Sequence, residues 1–302
     1  MKKVAIILCT KNGEKFISEQ LNSIDCQTHK DIDIYITDDN SSDSTVKIIE
    51  NFSFKNAVVK KFYKKQFGDP ATNFLWTLKQ IDNHYNMYFF CDQDDIWHKE
   101  KIRKYLELYS PTNKAALICS RTRLIDEQSE AYGFSPLFKK KLCLANALVQ
   151  SIAGGNTMGF NAATKSLLDR IENLEDVVSH DWITYILVSA FEGKIIYLKE
   201  PFTYYRSHEN NHIGPNVSFK SRLIRLKLLF ENQFYMWTNR NLKVLDNFKL
   251  ISSDSLKTIN FLKKAKDKNI IERLKVISSN YLFRQTFMSN FTLKLAILLK
   301  KA

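Results

Sequence analysis

The sequence predicts an α/β protein: a doubly wound, mostly parallel sheet over residues 1–216, followed by a basic helical C-terminal region over residues 217–302. Three observations carry this. Short apolar, partly β-branched runs alternate with stretches of helical periodicity through the first hundred or so residues. Three of those runs end in polar or acidic turns, and in open α/β sheets ligands bind beyond the carboxyl ends of strands. Past Phe219 the texture changes to long basic and apolar stretches with almost no Gly or Pro.

Taken in order, Lys3 to Cys9 is a short apolar run that suits a buried strand and ends in the turn Thr10-Lys11-Asn12-Gly13. Phe16, Ile17, Leu21 and Ile24 then recur near helical spacing. A second strand, Ile32 to Thr37, ends in Asp38-Asp39-Asn40-Ser41-Ser42-Asp43, and a helix follows from about Ser44 through Phe52. Val58 to Tyr63 predicts a third strand and Asn73 to Asn83 a third helix. Met87 to Cys91 is a fourth strand, again running into an acidic turn. Ser221 to Phe230 opens the helical tail.

With 302 residues and 44% hydrophobic content, the chain can bury a sizeable core, and 8 Gly and 5 Pro leave little room for flexible linkers. The five cysteines (Cys9, Cys26, Cys91, Cys119, Cys143) are scattered without a CxxC pair, which fits a reducing compartment. No signal peptide and no bilayer-spanning run is visible, so a cytoplasmic protein is expected. From Ser218 to Ala302 there are 18 Lys and Arg against 5 Asp and Glu, so this end carries the whole net charge of +13. Such asymmetry points to an anionic surface, nucleic acid or lipid, met by one end of the molecule.

The turn Asp92-Gln93-Asp94-Asp95 packs three carboxylates into four positions after an apolar strand. Carboxylates this close resist ionising together unless a cation neutralises them. Oxygen ligands favour a hard ion, Mg²⁺ or Mn²⁺, which shares its coordination with phosphates and would neutralise charge on a departing diphosphate. The plainer alternative is a solvated turn capping a helix that begins near Trp97. The turn at 38–43 offers Asp38 or Asp39 to a nucleobase or ribose, while Asp43 or Ser44 would cap a helix.

Thr10 to Glu14, Asp38 to Asp43, Asp92-Gln93-Asp94-Asp95-Ile96-Trp97, Gly154-Gly155-Asn156-Thr157-Met158, His180-Asp181-Trp182 and Tyr205-Arg206-Ser207-His208-Glu209-Asn210-Asn211 occur in that order. Together they resemble a family 2 glycosyltransferase of the bacterial rhamnosyltransferase-like branch that builds O-antigens, capsules and rhamnose-rich wall polysaccharides. The resemblance covers about residues 3–215. It implies a GT-A fold, a dTDP- or UDP-activated donor, rhamnose being favoured over hexoses and N-acetylhexosamines, and inversion at the anomeric carbon. By position, Asp39 with Asp38 and Thr10 would bind the nucleoside. Asp92 and Asp94 would form the metal-binding DXD element around Mn²⁺ or Mg²⁺, with Asp94 the favoured direct ligand and His208 a further one. Asp181 would be the catalytic base. Arg206 and His208 would lie near the diphosphate or close the site over it. Asn73, Gly155 and Asn156 would line the donor and acceptor pockets, and Trp182 would offer a face for sugar stacking. One departure is visible: Gln66-Phe67-Gly68 stands where relatives often have Asn-Phe-Gly.

Inverting transfer also needs one carboxylate to take the acceptor's proton, a role open to Asp181; alone, the same residue reads as the first turn of a helix. For the tail, the bland reading is a helical region packing its apolar face on the catalytic domain. The sharper one docks it on the anionic inner face of the cell membrane, beside a polyprenyl-diphosphate-linked glycan acceptor. A homodimer interface is the third. Nucleic-acid binding is disfavoured because the strand-end turns are acidic. A glycoside hydrolase would leave the turn at 38–43 without a purpose.

Overall fold

The structure is a computed structural model and describes residues 2–109, 112–208, 232–266 and 269–301. The expected boundary at 216/217, residues 209–211 of the last motif, and the basic stretch Ser221 to Phe230 lie outside them.

The chain opens with β1 (Val4–Thr10), α1 (Ile17–Asp25), β2 (Ile32–Asp38), α2 (Thr45–Asn51), β3 (Val58–Lys64), α3 (Pro70–Lys79) and β4 (Met87–Cys91). The expected strand–helix alternation is therefore present in order. After it come β5 (Ile96–Trp97), α4 (Lys101–Leu108), β6 (Ala116–Ser120), β7 (Arg123–Ile125), β8 (Ala131–Phe134), α5 (Leu144–Ala147), β9 (Gly159–Phe160), α6 (Ala162–Asp169), α7 (His180–Ala190), β10 (Lys194–Leu198) and β11 (Thr203–Arg206). A tail of α8 (Gln233–Asp246), α9 (Ser253–Ala265), α10 (Ile270–Ser279) and α11 (Phe287–Leu298) completes the described chain.

The central sheet has seven strands in the order β10-β6-β9-β4-β1-β2-β3. Every pairing is parallel except those of β9, which runs antiparallel between β4 and β6. A second sheet, β5-β11-β7-β8, was not legible in the sequence. Its strands are two to four residues long, too short to display an alternation.

β1 shows why the core has two sides. Ala5, Ile7 and Cys9 join the cluster under α3 and α7, while Val4, Ile6 and Leu8 join the one under α1, α2 and α4. Alternate residues of a strand point to opposite faces, so both faces of a central strand must be apolar. β3 at the edge is largely exposed, and its Lys60, Lys61 and Lys64 discourage edge-to-edge pairing. Where helices start, polar side chains supply the caps. Asp69 accepts the amide of Thr72 ahead of Pro70 in α3, and Asn161 accepts that of Thr164 in α6.

The tail shares the core of the sheet. Leu242 and Leu245 of α8, Ile259 and Leu262 of α9, Val276 of α10, and Leu293 and Ile297 of α11 belong to the same buried cluster as β4 and α7. Leu262→Ala is expected to cost about 2–5 kcal/mol, as for large-to-small changes at buried sites. Because the core is continuous, calorimetry should then show one transition shifted down; a second, separate transition would mean that the tail unfolds on its own.

Candidate active site

The carboxyl ends of β1, β2 and β4 lie side by side, and the turns that leave them are stitched together. Asn12 donates its amide to Ser41 Oγ at 2.8 Å, and its side-chain oxygen accepts the amide of Ser42 at 2.8 Å. The Gly13 amide reaches Thr45 Oγ1 at 2.7 Å, and Glu14 Oε2 accepts the amide of Ser44. Gln93, from the third turn, accepts the Lys11 amide at 2.9 Å and donates to the Lys11 carbonyl at 2.8 Å. A Cβ on residue 13 would sit 2.2 Å from Gln93 Oε1, so only glycine permits this approach.

Each expected nucleoside-side residue is buried and engaged. Thr10 donates to Asp38 Oδ2 at 2.9 Å, and Asp38 also accepts the amide and hydroxyl of Ser41. Asp39 accepts the amides of Phe67 (2.5 Å) and Gly68 (3.0 Å) and pairs with Lys11 at 3.4 Å. The Gln66-Phe67-Gly68 loop thus has a role: it is pinned by Asp39, with Phe67 packed on Trp76 at 5.3 Å. Gly68 has φ +72°, which glycine adopts without cost. Asn73, buried on α3, accepts from Thr77, whose hydroxyl meets Thr37 of β2 at 2.6 Å.

The turn after β4 leads into the short strand β5 and not into a helix; α4 starts only at Lys101. Its carboxylates are therefore not a helix cap, and they diverge. Asp95 is fully buried, accepting from the Asn156 side-chain amide and from the Arg206 backbone at 3.2 Å. Asp94 Oδ2 meets His208 Nε2 at 2.8 Å. Burial, then the charges of Asp95, Asp94 and Asp181, push the Asp92 carboxyl well above the ordinary range, with Lys101 opposing. Lys101 is itself buried, its ammonium on the Asn156 carbonyl (2.5 Å) and over the Trp97 ring (3.5 Å), and burial pushes it down.

Arg206 departs from expectation. It does not face outward toward a diphosphate; it is fully buried over the Phe16 ring. Its guanidinium holds the carbonyls of Asp94, Asp126 and Glu127, the hydroxyl of Ser129 and the carboxylate of Glu19 at 2.8 Å. Five donors in a fixed fork suit such a clamp. Trp182 departs likewise: its ring is buried at 6.3 Å from Trp237, with its N–H on the Ala147 carbonyl at 2.6 Å, so it offers no open face to a sugar. Gly155 and Asn156 are also buried. A Cβ on residue 155 would lie 2.1 Å from His180 Nε2. The His180 ring stacks on Phe74 at 4.0 Å, and burial pushes its pKa down to about 3.

Asp181 sits in the first turn of α7, where Oδ1 accepts from Ser179 Oγ and from the Trp182 amide. Burial raises its pKa, and those hydrogen bonds oppose the rise. For a cation, Asp94 and His208 converge, while Asp92 does not join them; among the described residues no group of three His, Cys, Asp or Glu could hold a metal. A two-ligand oxygen–nitrogen site suits an ion whose other positions are filled by phosphate oxygens and water. A cavity of about 340 Å³ lined by Met87, Lys114, Asn161 and Lys194 lies at the opposite end of the sheet and touches none of these groups.

A mixed, mostly parallel sheet whose three strand-end turns are knitted together by hydrogen bonds is the frame of a GT-A nucleotide-sugar transferase. Residues 5–168 match the family model "Glycosyl transferase family 2", and the chain belongs to that family and is a glycosyltransferase. It is 30% identical over 239 residues to the dTDP-rhamnosyl transferase RfbG of Shigella flexneri, covering 76% of this chain and 80% of that one. Its fold is similar to that of Staphylococcus aureus TarS 1–349 in complex with UDP (TM-score 0.59, 17% identity, 91% of this chain and 78% of that chain). It is also similar to the mannosyltransferase PcManGT from Pyrobaculum calidifontis in complex with GDP-Man and Mn²⁺ (TM-score 0.52, 15% identity, 99% and 85%).

Sequence reasoning named Asp95 and Asn156 but missed that they pair in the interior beside a buried Lys101; a lysine at a helix start carries no mark of burial. Arg206→Met is expected to lower stability by about 3 kcal/mol by leaving buried carbonyls without donors, read in urea denaturation. A loss below about 1 kcal/mol would mean that the clamp is weak.

Proposed function

We propose that the chain transfers rhamnose from a dTDP donor, with inversion, to a growing cell-surface glycan carried on a membrane-bound polyprenyl diphosphate. The observations that carry the transfer chemistry are a strand-end acidic turn whose Asp94 meets His208 at 2.8 Å and a carboxylate, Asp181, held at the start of α7 by Ser179 and the Trp182 amide. The likeness to the S. flexneri enzyme supports the donor.

The turns after β1 and β2 form the nucleoside end of the site. Thr10 and Asp38 fix each other there, and Asp39 holds the Phe67–Gly68 loop as the floor beside the base. Asp94 and His208 would hold Mn²⁺ or Mg²⁺, an ion that neutralises charge on the departing diphosphate. Arg206 keeps Asp94 in position from behind. Asp181 takes the acceptor's hydroxyl proton as that oxygen attacks the anomeric carbon; the bond from that carbon to the diphosphate breaks and the nucleoside diphosphate leaves. Ser179 and the Trp182 amide both bind Oδ1, which orients the carboxylate and leaves Oδ2 for the proton.

Asp181→Asn is expected to abolish transfer, measured as dTDP release in the presence of acceptor, while donor binding by thermal shift stays within about twofold of wild type. Near wild-type turnover would remove the base assignment. Because burial raises the Asp181 pKa, the base is protonated at a higher pH than an ordinary carboxylate. The acid limb of kcat should therefore lie above the usual carboxylate range, and a limb at or below about 4 would contradict it. UDP-hexose or UDP-N-acetylhexosamine in place of dTDP-rhamnose is the second reading, separated by which nucleotide sugar raises the melting temperature.

A further inference from the structure

The four tail helices pack one face into the core, yet two of them are apolar on the other face as well. On α11, Leu293, Ala296 and Ile297 are buried, whereas Phe287 is 83% exposed, Met288 53%, Phe291 57%, Leu298 41% and Leu299 43%. Phe287, Phe291 and Leu298 recur at helical spacing, so they share one side of the helix, opposite Ala296. On α10, Val276 is buried while Ile270, Ile271 and Leu274 are exposed at 43%, 58% and 49%. The two helices pack on each other, and Arg273 of α10 donates to the Leu298 carbonyl at 2.6 Å. That contact sets the turn of α10 around Arg273 next to the C-terminal end of α11, where Leu298 and Leu299 are exposed. A soluble helix usually shows one apolar stripe and one polar face; an apolar outer face marks an interaction surface.

The charge around this face selects its occupant. Residues 218–302 hold 18 Lys and Arg against 5 Asp and Glu. Lys275, Lys294, Lys300 and Lys301 lie on or at the ends of these same two helices, whose only acidic residue is Glu272. Two copies meeting through such a face would bring like charges together, whereas an anionic bilayer attracts the cations and takes the apolar side chains into its headgroup and acyl boundary. Neither helix is long enough to cross a membrane, and no described helix is.

We infer that α10 and α11 form a membrane-docking face that lies in the plane of an anionic lipid surface, with Phe287, Met288, Phe291, Ile271 and Leu274 inserted. The inference rests on the transferase reading for its purpose, which is to bring the site to a lipid-carried acceptor. It differs from a docking mode built on the basic stretch at 221–230 alone, because apolar insertion carries part of the affinity.

The test is co-sedimentation with vesicles of phosphatidylcholine and phosphatidylglycerol, against vesicles of phosphatidylcholine alone. Wild-type protein should bind the anionic vesicles and release partly with salt. The double variant Phe287→Ser/Phe291→Ser should bind about tenfold more weakly or less, with unchanged melting temperature and unchanged hydrolysis of the nucleotide sugar in solution. Ile271→Ser/Leu274→Ser, on the neighbouring helix, should weaken binding in the same direction. Wild-type levels of vesicle binding in both double variants would overturn the inference. So would a wild-type dimer that the variants dissolve without any change in vesicle binding, which would identify a second copy as the occupant. If vesicle binding behaves as expected but no nucleotide sugar is turned over, the docking face stands and the transferase reading falls.

Discussion

Three carboxylates within four residues cannot be left facing one another in a low-dielectric turn, and the arrangement around β4 follows from that constraint. The fold sends them in different directions. Asp95 turns inward to Asn156 and the Arg206 backbone, Asp94 turns to His208, and the Asp92 carboxyl is pushed up by burial and by its acidic neighbours against the opposing charge of Lys101. Arg206 then closes the arrangement, since one buried guanidinium holds the Asp94 carbonyl, the 126–129 turn and Glu19 of α1 together. The second sheet has its purpose here. β11 carries Arg206 between β5 and β7, and so delivers a cation from late in the chain to the back of a turn formed early.

Much of this frame was legible from residues alone. The strands β1 to β4 and the helices between them fall close to where apolar runs and turn residues put them, because strands buried on both faces, as β1, β2 and β4 are, write largely hydrophobic runs. The acidic turns at 38–43 and 92–95 were legible for the same reason: they interrupt those runs abruptly. What was not legible is whatever depends on distant pairing. Nothing in Ala131 to Phe134 or Thr203 to Arg206 announces that these segments pair with Arg123 to Ile125. The direction in which Arg206 and Trp182 point was illegible for a related cause. Arginine and tryptophan serve equally well at a ligand and in a satisfied interior, and only their partners decide which. In both cases the partners are protein groups.

The molecule also divides its electrostatics by region. The strand-end turns are acidic, while the cationic excess is confined to the tail, whose outer apolar face is separate from the residues of the turn. The cation site and the lipid-directed surface proposed above would interfere if they shared charges; the acidic turns belong to the α/β frame, whereas the basic excess belongs to the tail, whose described helices brace that frame through a common core.

The central claim is that Asp94 and His208 are half of a cation site whose other half arrives with the nucleotide. Mn²⁺ binding followed by electron paramagnetic resonance, with and without dTDP, tests it most directly. The account predicts weak binding of Mn²⁺ alone, strong binding once dTDP is present, and loss of that gain in Asp94→Ala. Equally tight Mn²⁺ binding without nucleotide, or a gain that survives Asp94→Ala, would contradict it.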